Sequence, residues 1–185
     1  MIHQTDMMQD IEKILLSEAE IKEGIAKMGK TLTEEYRGKC PIVVGILKGV
    51  VPFFAAMTQA MELPLQEDFM LVSSYGSGTE SSGEVIFRKD LSFDIEGRHV
   101  LLLEDIVDTG LTLKKVVEKL SEREPASIKV CTLLDKPSGR KVEFIPDFTC
   151  FTIPDGFVVG CGLDYADYYR NLPFVGILKP DVYAD

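Results

Sequence analysis

The chain has 185 residues, of which 45% are hydrophobic and 27% charged, and its formal net charge is −10 at pH 7. This length and composition are typical of a single globular domain, and no apolar run is long enough to span a membrane. The negative charge disfavours a nucleic-acid partner, because the phosphates would be repelled.

The N-terminal part is predicted to be helical over residues 7 to 37. Ser17, with Glu20 three residues later, makes a capping box. Apolar residues then recur on one face of the helix, at Ile21, Ile25, Met28 and Leu32. Residues 24 to 31 also match the phosphate-loop pattern G-x-x-x-x-G-K-T, but that motif needs a strand directly before it. We expect no such strand, so we interpret the match as coincidence within the helix.

The middle of the chain alternates between strands and helices. In chain order we predict a buried strand at 42 to 47, a helix from near Pro52, a strand at 68 to 75, a flexible loop at 76 to 83 and an antiparallel strand at 85 to 88.

The most informative stretch is VLLLEDIVDTGLT, residues 100 to 112. Its apolar residues predict a buried strand that ends at the adjacent acids Glu104 and Asp105, with a loop over 106 to 110 and a helix over 112 to 121. A strand at 127 to 134 completes a βαβ unit, and short strands are expected near 149 to 153, 157 to 160 and 174 to 178. The chain is thus predicted to be α/β, with a mostly parallel twisted sheet flanked by helices.

The same stretch predicts a binding site. Ligands of such sheets bind at the carboxyl ends of the strands, beside the N-termini of the following helices. A loop of small hydroxyl residues and glycine offers N–H groups to a phosphate there, and paired carboxylates suit Mg²⁺ or sugar hydroxyls. We therefore expect a sugar phosphate and its metal at residues 104 to 112.

The cysteines and histidines carry little functional signal. The four cysteines form no C-x-x-C pair, which predicts buried free thiols and a reducing, cytoplasmic setting. No pattern puts His3 or His99 beside a nucleophile, which disfavours hydrolase chemistry.

The stretch from 100 to 112 resembles the phosphoribosyl-pyrophosphate signature of the type I phosphoribosyltransferases. Further segments are similar, in order and spacing, to the hypoxanthine-guanine members: Leu47 to Gly49, Ser74-Tyr75 with the loop after it, Leu133 to Lys136, Ile153 to Gly160, Leu163 to Tyr165 and Tyr169 to Pro173. The resemblance implies one domain over 1 to 185, with a core at about 40 to 150. A small hood would be formed by the terminal segments, about 1 to 37 and 151 to 185.

The resemblance also implies a reaction, the transfer of a phosphoribosyl group from phosphoribosyl pyrophosphate to N9 of hypoxanthine or guanine. Glu104 and Asp105 would hold the ribose hydroxyls and Mg²⁺, and Asp164 a second Mg²⁺. Asp108 would act as general acid/base near purine N7. The 5-phosphate would be bound by Asp108, Thr109, Gly110, Leu111 and Thr112, although some family members carry Lys where this chain has Leu111.

Pyrophosphate would be bound by Lys48, Gly49 and Arg170. The peptide bond between Leu47 and Lys48 is often cis in the family, and the sequence leaves its geometry open.

The purine would meet three residues. Lys136 would donate to its 6-oxo group, which excludes adenine, Phe157 would stack on its face, and the backbone at Val158 would read its 2-position. Ser74 and Tyr75 would belong to a lid that closes over the reaction.

Two alternatives stay open. A regulator of the same fold, which binds phosphoribosyl pyrophosphate together with RNA or DNA, shares the signature loop, although Lys136, Phe157 and the lid pair favour an enzyme. A xanthine-preferring enzyme is a closer alternative, because selectivity at the 2-position depends on backbone geometry. Family members are commonly oligomers, so we expect a homodimer or homotetramer with no nucleic-acid or membrane partner.

Overall fold

The computed structural model describes residues 6–74 and 85–183. Its strands are β1 (Ile11–Leu16), β2 (Ile42–Leu47), β3 (Gln66–Ser74), β4 (Val85–Lys89), β5 (His99–Val107), β6 (Ser127–Asp135), β7 (Phe148–Thr152), β8 (Val158–Val159) and β9 (Val175–Leu178). Its α-helices are α1 (Glu18–Glu35), α2 (Val51–Ala60), α3 (Leu111–Ser121) and α4 (Pro180–Tyr183), and 3-10 turns lie at Met7–Asp10 and Pro137–Gly139. None of the helices described is long and apolar enough to cross a membrane.

The central sheet has six strands in the order β4-β3-β2-β5-β6-β7. All neighbours run parallel except β4, which is antiparallel to β3. The predicted mostly parallel sheet and its antiparallel edge strand are therefore confirmed. The central strands read as nearly continuous apolar runs because both of their faces are covered.

Helices cover the two faces of this sheet, and alternate residues of β5 pack against the helices on each face. Leu101 and Leu103 belong to the buried cluster that contains α1 and α2, whereas Val100 and Leu102 belong to the cluster that contains α3. Alternate residues of a strand point to opposite faces. A slip of one residue would exchange the two layers, so this double burial fixes the register of β5 and the position of the acids at its end.

The predicted capping box is present at the start of helix α1. The side chain of Ser17 accepts from the backbone N–H of Glu20, and the Glu20 side chain accepts from the backbone N–H of Ser17. The phosphate-loop-like match lies well inside this helix. Contrary to our expectation, a strand, β1, does precede α1. It ends at Leu16, however, so the first residues of the helix separate it from the phosphate-loop-like match at 24 to 31.

Residues 7 to 16 correct the prediction of one helix over 7 to 37. They form a 3-10 turn and β1, which pairs antiparallel with β9 in a second sheet of order β1-β9-β8. Ile11, Ile14 and Leu15 are spaced as on a helical face. The local pattern therefore favoured a helix, whereas the structure is decided by a partner strand at the other end of the chain.

Two smaller corrections concern β5 and the cysteines. The pairs Ile106↔Leu134 and Val107↔Asp135 continue the ladder between β5 and β6. The acids therefore lie inside the strand, and the predicted loop over 106 to 110 shortens to 108 to 110. All four cysteines are free, but Cys40 is exposed, against the prediction of buried thiols.

Candidate active site

Three neighbouring parallel strands, β2, β5 and β6, end at the same edge of the central sheet. Lys48 follows β2, Asp108 follows β5 and Lys136 follows β6. Parallel strands that lie side by side bring their carboxyl ends together. Three segments that are distant in the sequence thus meet around one site.

A pocket of about 260 Å³ lies at this edge, lined by Asp105, Ile106, Asp108, Lys136, Gly156, Phe157, Val158, Leu163 and Asp164. The structure therefore brings the three predicted purine-contacting residues together with three of the predicted acids. Sequence reasoning gave no individual role to Ile106, Gly156 and Leu163, although Gly156 and Leu163 lie in segments that resemble the family. As apolar lining residues they carry no signal that separates them from the core.

Two tyrosines contact the ring of Phe157, and sequence reasoning gave neither of them a role. Phe157 is 37% exposed. It stacks on Tyr183 with the ring centroids 4.9 Å apart, and it meets Tyr165 edge-on at 5.7 Å. Tyr183 belongs to α4, so the end of the described chain supports the wall of the pocket.

A second pocket of about 170 Å³ lies beside the first, lined by Glu104, Ile106, Val107, Asp108, Thr109, Gly110, Thr112 and Leu113. Gly110 is the N-cap of α3, in the left-handed conformation, and has no side chain of its own. The hydroxyl of Thr109 accepts from the N–H of Leu111 at 3.3 Å. The N-terminus of a helix attracts anions through its other N–H groups and its dipole. The predicted phosphate loop thus forms a concave site, although Leu111 is not among its lining residues.

The paired acids on β5 lie in a desolvated position. Burial, followed by the charge of Asp105, raises the pKa of Glu104 well above its ordinary value, and burial also raises the pKa of Asp105. One oxygen of Glu104, Oε2, is buried without a hydrogen-bond partner. An unsatisfied buried oxygen costs free energy, so this arrangement is typical of a functional site.

The loop after β2 packs directly against Asp105. The Leu47–Lys48 peptide bond is cis, the geometry that the sequence left open. A Cβ at Gly49 would overlap with Oδ2 of Asp105. Glycine at this position therefore lets the backbone approach the carboxylate.

Arg170 is surrounded by carboxylates. Its Nη2 lies 2.9 Å from Oδ1 of Asp164 and 3.0 Å from Oδ1 of Asp167, and its Nη1 donates to the carbonyl of Gly162 at 2.8 Å. Asp167 also lies 3.1 Å from Nζ of Lys48, so it joins the two cations predicted to bind pyrophosphate. Hydrogen bonds from Arg170 and Lys48 lower the pKa of Asp167. Sequence reasoning missed Asp167, which carries no motif of its own.

Asp108 and Lys136, both predicted site residues, contact each other. Nζ of Lys136 lies 2.9 Å from Oδ2 of Asp108, and the other oxygen, Oδ1, is buried without a hydrogen-bond partner. A Cβ at Gly139 would overlap with this Oδ1. The turn after β6 thus makes room for the Asp108 carboxylate.

Of the predicted lid, the structure describes only Ser74. Ser74 is the last residue of β3, and both Tyr75 and the predicted loop at 76 to 83 lie outside the described residues. The lid therefore stays a prediction.

Comparison with known proteins agrees with this geometry. The model of the phosphoribosyl transferase domain family matches residues 11–166. The chain is 54% identical over 176 residues to a hypoxanthine-guanine phosphoribosyltransferase of Streptococcus pneumoniae, covering 95% of this chain and 98% of that protein. It is 53% identical over 177 residues to the protein of the same name from Bacillus subtilis, with coverages of 96% and 98%.

Two solved structures share the whole fold. A hypoxanthine phosphoribosyltransferase from Staphylococcus aureus has a TM-score of 0.94 and 45% identity, covering 99% of this chain and 100% of that one. The Trypanosoma cruzi enzyme in complex with the product IMP has a TM-score of 0.88 and 40% identity, covering 95% of this chain and 98% of that one. With about half of its residues identical over nearly its full length, the chain belongs to the hypoxanthine-guanine phosphoribosyltransferases, a family of enzymes with the type I phosphoribosyltransferase fold.

Proposed function

We propose that this protein transfers the 5-phosphoribosyl group from phosphoribosyl pyrophosphate to N9 of hypoxanthine or guanine. The products are IMP or GMP and pyrophosphate. The proposal rests on two adjacent pockets at the same edge of the sheet. One is an anion site at the start of α3, and the other is lined by both polar and apolar residues, among them Lys136 and Phe157. The names of the relatives, and the IMP bound to one of them, support it.

The phosphoribosyl end binds through the backbone of the loop after β5. N–H groups near the N-terminus of α3, with the hydroxyls of Thr109 and Thr112, receive the 5-phosphate. Lys48 and Gly49 offer backbone N–H groups to the pyrophosphate, which Arg170 also contacts, and the positive charges of Lys48 and Arg170 stabilise it as it leaves. Because Asp167 contacts both Lys48 and Arg170, pyrophosphate has to displace this carboxylate from the two cations.

The purine is recognised by its 6-oxo group. The ammonium of Lys136 donates to an oxo group but not to the amino group of adenine. Phe157 stacks on the base, and the backbone at Val158 borders the 2-position.

Asp108 is the general base in this proposal. As N9 bonds to C1 of the ribose, the bond from C1 to pyrophosphate breaks, and the purine N7 proton passes to the Asp108 carboxylate. Lys136 lies 2.9 Å from that carboxylate, so one ammonium serves both the 6-oxo group and the general base.

The acids fit Mg²⁺. The unpartnered Oε2 of Glu104 is suited to a cation or a ribose hydroxyl, and hard carboxylate oxygens are the ligands that Mg²⁺ prefers. Within residues 6–74 and 85–183, no three acidic, His or Cys side chains form a complete metal cage. This suits an ion that takes its other ligands from phosphates and water. Glu104 and Asp105 would hold the ion at the ribose and Asp164 a second one, and bound Mg²⁺ neutralises charge on the leaving group.

The remaining expectations belong to the same proposal. Ser74 and Tyr75 begin a lid over the reaction. The chain forms one domain, with the sheet β1-β9-β8 in its hood, and it works in the reducing cytoplasm as a homodimer or homotetramer.

The proposal is tested by initial rates with phosphoribosyl pyrophosphate and Mg²⁺ against hypoxanthine, guanine, xanthine, adenine and uracil. We expect turnover of hypoxanthine and guanine, none of adenine or uracil, and none after chelation with EDTA. Turnover of xanthine above both others would identify the xanthine-preferring alternative. Binding of phosphoribosyl pyrophosphate without turnover of any base would favour the regulator.

A further inference from the structure

The guanidinium group of Arg140 connects the end of strand β5 to the end of β6 and to Phe144. Nη1 donates to the carbonyls of Val107 and Asp108, both at 2.5 Å, and Nε donates to the carbonyl of Phe144 at 3.0 Å. Nη2 forms an ion pair with Asp135 at the end of β6. The side chain of Arg140 is only 17% exposed and that of Asp135 only 15%.

Two backbone hydrogen bonds extend the same contact. The N–H of Lys136 donates to the carbonyl of Val107, and the N–H of Lys141 donates to the carbonyl of Thr109, both at 3.0 Å. Three consecutive carbonyls, those of residues 107, 108 and 109, are therefore bound by the segment 136–144, which we call the brace.

Because peptide bonds are planar, fixing these three carbonyls also fixes the orientation of the N–H groups at the phosphate site. In a trans peptide the carbonyl and the next N–H point in opposite directions. Binding three carbonyls on the side of the brace turns the N–H groups of Asp108, Thr109 and Gly110 away from it. These three residues line the pocket at the start of α3.

We propose that Arg140 is a positioning residue, which orients the N–H groups of the 5-phosphate loop and the Asp108 backbone without touching the substrate. This inference rests on the proposed function. Because its charge is paired with Asp135, Arg140 acts through the geometry of its planar fork. A lysine keeps the charge, but its single ammonium nitrogen cannot reproduce the planar fork, whose three nitrogens contact different groups.

The test compares Arg140→Lys and Arg140→Met with a matched control, Arg123→Met. Arg123 also pairs with an aspartate, Asp90, but follows α3 away from the site, and its side chain is 31% exposed. The double variant Arg140→Met/Asp135→Asn removes the charge that Arg140→Met leaves unpaired, so that misfolding does not mask the result. The measurements are kcat, thermal unfolding, and the inhibition constants of IMP and pyrophosphate against phosphoribosyl pyrophosphate.

We expect Arg140→Lys and the double variant to lower kcat by about 10- to 100-fold, the cost of small misplacements in active sites. The inhibition constant of IMP, which carries the 5-phosphate, should rise by about tenfold while that of pyrophosphate stays within about twofold. The control should behave as wild type. Wild-type kinetics for Arg140→Lys, or equal weakening of both products, would overturn the positioning role alone. A wild type that turns over no base would overturn the proposed function as well.

Discussion

Asp108 and Lys136 meet in one ion pair, with their charged atoms 2.9 Å apart. At the scale of residues, the proposed function therefore predicts that a substitution at either position affects both recognition of the purine and handling of its proton. Both positions were predicted because the segments that contain them, 100 to 112 and 133 to 136, resemble motifs of the family. Their mutual contact was not, because nothing in the sequence reports the distance between two loops.

Asp108→Asn should lower kcat by about 10²-fold or more, the range expected for a general acid/base group. The amide keeps the size of the side chain but cannot take up the N7 proton. Steady-state kinetics with hypoxanthine check this, with Asp155→Asn, an exposed acid near the pocket, as control. Unchanged turnover would remove the acid/base role of Asp108.

Lys136→Met should raise the KM for hypoxanthine by about 10- to 100-fold, because a charge-assisted hydrogen bond to the base is lost. The KM for phosphoribosyl pyrophosphate should change by less than about threefold. Lys141→Met, an exposed lysine five positions further along the same segment, serves as control. An equal rise of both KM values would exclude a purine-specific role.

Glu104→Gln should stabilise the fold while it abolishes activity. Burial and the charge of Asp105 raise the pKa of Glu104, so the folded state holds this proton more tightly than the unfolded state. Stability therefore falls as the pH rises above the ordinary value of about 4.3. A neutral amide avoids this loss and should raise Tm at pH 7.5 by about 2–4 °C, the shift for about 1 kcal/mol in a domain of this size.

The pH dependence supplies the check on Glu104. The difference in Tm between variant and wild type should shrink as the pH falls towards 4.5, because the wild-type carboxyl then takes up its proton. A difference that grows towards low pH would contradict the raised pKa.

At the scale of elements, the structure separates what local sequence determines from what it does not. The capping box at Ser17 and the apolar strand 42 to 47 were predicted because short-range pattern decides them. Strand β1 was missed because its pairing with β9 is a contact between the two ends of the chain. The extension of β5 to Val107 was missed because the acids Glu104 and Asp105 suggested the end of a strand, whereas backbone pairing with β6 continues beyond them.

The brace and the turn around Asp167 were likewise invisible in the sequence. Arg140 and Asp167 act through contacts that only folding creates, and each lies in a loop with no periodic pattern. The signature residues were found because their chemistry lies in one short stretch, at 104 to 112.

A buried hydrogen bond joins two segments that are distant in the sequence: the hydroxyl of Tyr169 donates to Oδ2 of Asp10 at 2.7 Å. Tyr169→Phe removes one donor from a carboxylate that is 1% exposed. The cost should be about 1–3 kcal/mol, seen as a Tm lowered by roughly 2–10 °C. The neighbouring Tyr168→Phe, 51% exposed, should leave Tm unchanged, and equal Tm values for both variants would show that the bond contributes nothing.

At the scale of the whole molecule, the described surface carries exposed large apolar side chains, among them Val51 at 48% and Ile145 at 84%. Exposed apolar groups favour contacts between protein chains when they form a patch. We expect light scattering to give two or four times the chain mass of 20.6 kDa. A monomeric mass across a range of protein concentrations would refute the homo-oligomer.

In the proposed function, the two pockets at the carboxyl ends of β2, β5 and β6 bring a phosphoribosyl group and a 6-oxopurine together in one reaction. The sharpest test is to incubate the protein with phosphoribosyl pyrophosphate, hypoxanthine and Mg²⁺, and to measure IMP and pyrophosphate together. We predict that the two products appear in a one-to-one ratio and that adenine in place of hypoxanthine yields neither. Release of pyrophosphate without IMP, or formation of AMP from adenine, would contradict the account.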